Sequence, residues 1–112
     1  MKFIKTTGKT SLFLITTSFL SPYALSEVTL DGSMGAAGTL PGPDYQITQG
    51  VGKLENGNLF HSFGQFNINK TESATFSGSA GIKNVISRVT GGQASTIDGV
   101  FRSTIPNANV YF

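Results

Sequence analysis

The sequence predicts an all-β fold with almost no helix, and three observations carry that expectation. Asp31-Gly32, Asn56-Gly57, Gly91-Gly92 and Asp98-Gly99 each offer a residue that tolerates positive φ, as tight connections between strands demand. Between these pairs lie short runs rich in β-branched and aromatic side chains. No window of helical length carries apolar residues at i, i+3, i+4 and i+7 without a glycine or proline interrupting it.

Residues 1–26 do not belong to that fold, because they read as a cleavable export signal. Lys2, Lys5 and Lys9 form a positive leader, and Leu12 to Leu20 is an apolar stretch of signal-peptide length. It falls well short of the roughly 20 residues that span a bilayer. Ser21-Pro22 break it, and Ala24-Leu25-Ser26 put small residues three and one positions before Glu27, so cleavage is expected after Ser26, with Ala24 as the second choice.

In the mature segment, 27–112, the expected strands are Val28–Leu30, Asp44–Ile47, Asn58–Phe63, Gln65–Ile68, Ser73–Phe76, Val85–Val89, Ser95–Phe101 and Ala108–Phe112. Gly64 separates the third from the fourth, and the Gly and Asn pairs bound most of the others. Phe76 to Ile97 and Val89 to Val110 are both 21 positions apart, which suggests a repeat at the lower edge of the solenoid range. Spacing alone leaves sandwich, barrel and solenoid open.

Removing the signal leaves five basic residues (Lys53, Lys70, Lys83, Arg88 and Arg102) against six acidic ones, a net charge of −1. The basic balance of the whole chain therefore belongs to the leader, and a nucleic-acid role falls away. There is no cysteine, which excludes disulfide staples and thiolate metal sites. Burial and backbone pairing must stabilise a segment whose size makes a single core marginal.

The motifs that could carry chemistry are sparse. His61 is the only histidine, so zinc would depend on carboxylates, and a structural role is favoured. No Gly-x-Ser-x-Gly elbow accompanies it. A glycosidase needs two facing carboxylates, and nothing in the sequence brings any two of Asp44, Glu55, Glu72 and Asp98 together. Gly50-Val51-Gly52 lacks the third glycine of a dinucleotide loop. Asn69-Lys70-Thr71 fits a glycosylation triplet but reads as a turn, and Phe60, Phe63 and Phe66 read as core or cap.

The run from Asn56 to Ile68, then Glu72–Phe76, Asn84–Gly92, Ile97-Asp98-Gly99 and Ala108–Phe112, resembles the N-terminal secretion domain of filamentous-haemagglutinin-like exoproteins over essentially the whole mature chain. Asn58–Phe66 and Arg88-Val89-Thr90-Gly91-Gly92 are its most specific parts. The resemblance implies a right-handed parallel β-helix (solenoid) with an N-terminal β cap, and so selects the solenoid. It implies a non-enzymatic, cofactor-free secretion-targeting domain of an adhesin exported by two-partner secretion, reaching the medium or the cell surface through the periplasm of a Gram-negative-type bacterium. The partners implied are signal peptidase and an outer-membrane pore with periplasmic binding domains. Expected contacts for that pore are Asn58, Leu59, Phe60, Phe63, Phe66, Asn109 and Tyr111. The resembled proteins continue beyond the equivalent of Phe112 into an Asn-Pro-x-Gly turn and further coils, so the chain is expected to be a fragment, truncated after the first coils. A secreted β-helix enzyme acting on carbohydrate is the alternative, to be told apart by convergent carboxylates.

Overall fold

The computed structural model describes residues 27–112; the expected signal peptide, 1–26, lies outside the described residues. Ten strands follow in order: β1 (Glu27–Asp31), β2 (Ala37–Thr39), β3 (Asp44–Thr48), β4 (Lys53–Glu55), β5 (Asn58–Ile68), β6 (Ser73–Ser77), β7 (Asn84–Val89), β8 (Thr96–Ile97), β9 (Val100–Ser103) and β10 (Asn109–Tyr111). Among the described residues the only helical element is a 3-10 turn at Gln49–Val51.

The strands form two sheets. One runs β10-β7-β5-β1-β2, with β4 and β8 also pairing with β5; the other is β3-β6-β9. Pairing is parallel throughout the second sheet and along β5-β7-β10, whereas β1, β2 and β4 pair antiparallel. Antiparallel neighbours thus gather at the N-terminal side, and parallel stacking takes over from β5 onward.

The 21-residue repeat does not hold. Asn58 pairs with Asn84 and Asn84 with Asn109, steps of 26 and 25 residues, while Asp44 to Ser73 and Thr75 to Arg102 step by 29 and 27. Phe76 and Ile97 lie in different sheets, and Val110 stacks on Val85, not on Val89. Turns of unequal length separate the strands, so matching residue types at a fixed interval misread the register.

Two expected strand boundaries also differ. Residues 58–63 and 65–68 form one strand, β5, because Gly64 sits in an irregularity where Thr29 faces Gln65 and Leu30 faces Phe63. A bulge lets the chain bend without ending its pairing. Conversely, the run 95–101 is broken: β8 pairs with β5, the chain turns at Asp98-Gly99, and β9 pairs with β6 in the other sheet. The Asp98 N–H donates to the Ile68 carbonyl and the Val100 N–H to the Glu72 carbonyl, both at 3.0 Å, so this corner rests on the one between β5 and β6.

β2 and β4 were not expected, since Ala-Gly-Thr and Lys-Leu-Glu are short, exposed and weak in strand preference. Pairing creates them. Asn56 (φ 50°) and Gly57 (φ 80°) form a two-residue hairpin that lays β4 against β5, which is how an Asn-Gly pair favours the right-handed twist. The core between the sheets contains Val28, Leu30, Tyr45, Ile47, Leu59, Phe63, Phe66, Ile68, Ala74, Phe76, Ile82, Val85 and Ile105. Its aromatic spine joins Phe63, Phe66, Phe76 and Phe101, and Phe112 lays its ring 4.7 Å from that of Phe66.

Candidate functional site

Strand alternation sorts the expected contact residues into two faces. Leu59, Phe63 and Phe66 point inward and are buried. Asn58 and Phe60 are half-buried, and Asn109 and Tyr111 are exposed. The inward row Leu59-Val85-Val110 is flanked on the outer face by two rows, Asn58-Asn84-Asn109 and Phe60-Ile86-Tyr111. The structure therefore places Asn58 and Asn109 in one row and Phe60 and Tyr111 in another, each pair with a β7 residue, Asn84 or Ile86, between its members, and turns both pairs away from the three core residues.

The asparagine row is a ladder of side-chain amides: Asn84 Nδ2 donates to Asn58 Oδ1 at 2.9 Å, and Asn109 Nδ2 donates to Asn84 Oδ1 at 3.3 Å. Each rung satisfies the one below, which favours this register over a slip by one residue. Beside it, Met34, Phe60, Ile86 and Arg88 help line a cavity of about 240 Å³.

Two polar chains of the same composition tie neighbouring strands. In one, Asp31 accepts from the Ser62 and Thr90 hydroxyls at 2.6 Å and from the Ser33 N–H at 2.9 Å, while Arg88 Nε donates to Ser62 Oγ at 2.8 Å. In the other, Asp44 accepts from Ser73 and, at 3.4 Å, from Thr75, and Arg102 Nε donates to Thr75 Oγ1 at 3.0 Å. The hydrogen bond from Ser62, then those from Thr90 and Ser33, hold the Asp31 carboxyl far below the usual carboxylate range. Asp44 is lowered chiefly by Ser73. The sequence reading missed both chains. Their signal was an acid, a hydroxyl 31 residues later and an arginine 26 or 27 after that, recurring 13 residues along.

His61 is in the core, as a structural role requires. Its ring centroid is 6.0 Å from that of Phe63 and 5.5 Å from that of Phe76, and desolvation lowers its pKa to about 4. Two of the four carboxylates a glycosidase would use are engaged in their own turn or ladder: Glu72 accepts from the Asn69 N–H at 2.8 Å, and Asp44 belongs to the chain above. Among the described residues no group of three His, Cys, Asp or Glu side chains could hold a metal ion. Asn69 lies on an exposed turn, as read from the sequence.

No curated protein and no solved structure matches the chain. Residues 26–112 match the TPS secretion domain, a non-catalytic targeting domain of exoproteins secreted across the Gram-negative outer membrane. That match covers every described strand, and with the all-β architecture and the parallel stacking it places the chain in the two-partner secretion domain family, the N-terminal domain of exoproteins like filamentous haemagglutinin.

Proposed function

We propose that the β5 segment is the part of this secretion domain that an outer-membrane transporter captures, and that capture precedes folding. The observation behind the reading is the split of the expected contact residues: Leu59, Phe63 and Phe66 are closed to any partner once the core forms, yet they alternate with Asn58 and Phe60 on one 11-residue strand. In an unfolded chain all of these are reachable. A periplasmic binding domain of the pore would take the segment by β-augmentation, where backbone groups supply affinity and alternate side chains supply selectivity.

On the outside the same segment becomes the seed of a right-handed parallel β-helix with a β cap, the adhesin's first coils. In support, the parallel registers β5-β7-β10 and β3-β6-β9 advance together, and right-handed crossovers dominate parallel connections. Each added coil buries its inward row on the last, so folding outside draws the chain forward. Export to the periplasm would remove residues 1–26; mass spectrometry of exported protein should find Glu27 or Leu25 at the N-terminus, and Met1 on exported material would refute this.

The test separates capture from folding. Replacing Phe60, Phe63 and Phe66 together with serine should abolish binding of the unfolded chain to the periplasmic domains of a co-expressed transporter, while Phe76→Ala, which damages the core from a different strand, should leave that binding intact even where it slows export. Equal loss in both would mean that the folded state, not the segment, is recognised.

A further inference from the structure

We infer that His61 is a proton-sensitive lock on the core: the folded chain accepts this side chain only as neutral imidazole, and a proton taken up there separates β5 from β6 and β7.

The geometry leaves the ring no means of holding a charge. His61 is 1% exposed, and among the described residues neither Nδ1 nor Nε2 has a hydrogen-bond partner. Its cross-strand neighbour is Ser87, whose hydroxyl is also buried and unpartnered. An imidazolium carries two N–H donors and needs two acceptors. The Ser87 hydroxyl could serve one at most; the ring also meets those of Phe63 and Phe76 and the backbone at Gly52, and the cavity that His61 and Ser87 help line is shared with Met34, Phe60, Ile86 and Arg88, none of which offers a carboxylate. A buried, unpaired charge is far more costly than a neutral polar group.

No ionised group on the neighbouring elements offsets it. Glu27 and Asp31 on β1, Lys53 and Glu55 on β4, and Arg88 on β7 are the charged residues of the strands paired with β5; β6, β8 and the 3-10 turn carry none. By register Lys53 faces Phe60, Glu55 faces Asn58, Glu27 faces Asn67 and Arg88 faces Ser62, all on the outer side of β5, and Asp31 bonds Ser62 there. Burial alone accounts for the depressed affinity of His61 for a proton.

The sign follows from linkage. The unfolded histidine titrates near 6.5 and the folded one near 4, so the unfolded state binds more protons between those values. The stabilisation is complete above pH 6.5 and is lost as pH falls toward 4; at pH 5 the folded-to-unfolded ratio drops about 30-fold on this account. Asp31 and Asp44, with lowered carboxyl values, lose their contributions only at more acid pH, below the ordinary carboxylate value of 3.8, so the window from 7.5 to 5 isolates His61.

His61 is the only histidine, so its ring resonances in the exported chain are assigned without ambiguity. NMR titration should show at most about a tenth of the full shift of the folded-state ring signal down to pH 5, while urea denaturation loses roughly 30-fold in the folding constant between pH 7.5 and 5. His61→Leu should flatten that loss. A folded-state signal titrating near pH 6.5 with the fold intact would overturn the lock, as would stability that is level over the same range or an undiminished loss in a folded leucine variant. If the leucine variant does not fold, the titration of the unsubstituted chain decides alone.

Discussion

Replacing Phe76 with alanine tests whether the two sheets share one core. Phe76 is fully buried on β6, and its ring lies 5.2 to 6.4 Å from those of His61, Phe63, Phe66 and Phe101, which come from β5 and β9. Truncating such a side chain removes its transfer free energy and leaves a cavity that the neighbouring strands close only in part, a loss of about 3–5 kcal/mol. A domain of this size has roughly 0.05–0.15 kcal/mol of stability per residue, so the loss is a large share of the whole. Urea denaturation followed by circular dichroism, suited to a chain without tryptophan, should show the midpoint fall sharply with little change in slope. Phe76→Leu should retain most of the stability. A loss below about 1 kcal/mol for the alanine variant would mean that the sheets are not packed through this ring, and the two-sheet core would have to be abandoned.

Other outcomes follow from the corners and edges. A Cβ on Gly91 would overlap the Gly64 carbonyl oxygen, so Gly91→Ala should cost at least about 1–3 kcal/mol, measured by the same denaturation, whereas Gly81→Ala, with open space around it, should cost far less. Asp31→Asn should destabilise the fold by about 1 kcal/mol at neutral pH, a figure discounted for the exposure of the carboxylate. Because the folded carboxyl value is lowered, that contribution is present above pH 3.8 and lost in stronger acid, so the asparagine variant should show a shallower acid transition below pH 4. Tyr111 and Phe112 are 55% and 49% exposed, and among the described residues no strand pairs with the outer edge of β10, so residues 27–112 in isolation should self-associate, and Tyr111→Lys should weaken this in sedimentation velocity.

The strands built from β-branched and aromatic runs were legible from sequence, as was the turn at Asn56-Gly57, because both depend on local chemistry. Register was not. Asn58, Asn84 and Asn109 become neighbours only after turns of different length, and no fixed interval reveals that. β4 and β2 exist because β5 and β1 offer them a pairing edge, which is a property of the folded sheet and not of Lys-Leu-Glu or Ala-Gly-Thr. Among the expected contact residues, the alternation along β5 was readable, but which face of Asn58–Phe63 turned inward required the opposite sheet to be in place. The role of His61 as core was rightly favoured; its lack of any partner could be seen only once Ser87 and the rings were set around it.

The two acid-hydroxyl-arginine chains give each sheet a chemical direction. Reading outward from the N-terminal side, the carboxylate comes first, the hydroxyl second and the guanidinium third, so a strand's place in the stack is written in the charge it carries. Swapping two neighbours would set like beside like or leave a hydroxyl with nothing to relay. A parallel stack of near-equivalent rungs otherwise offers many almost equal orders, and this gradient makes one of them distinct. It also leaves Arg102 on β9, the last strand of its sheet among the described residues, as a cationic margin that favours an acidic or amide side chain on any strand pairing there and repels lysine and arginine.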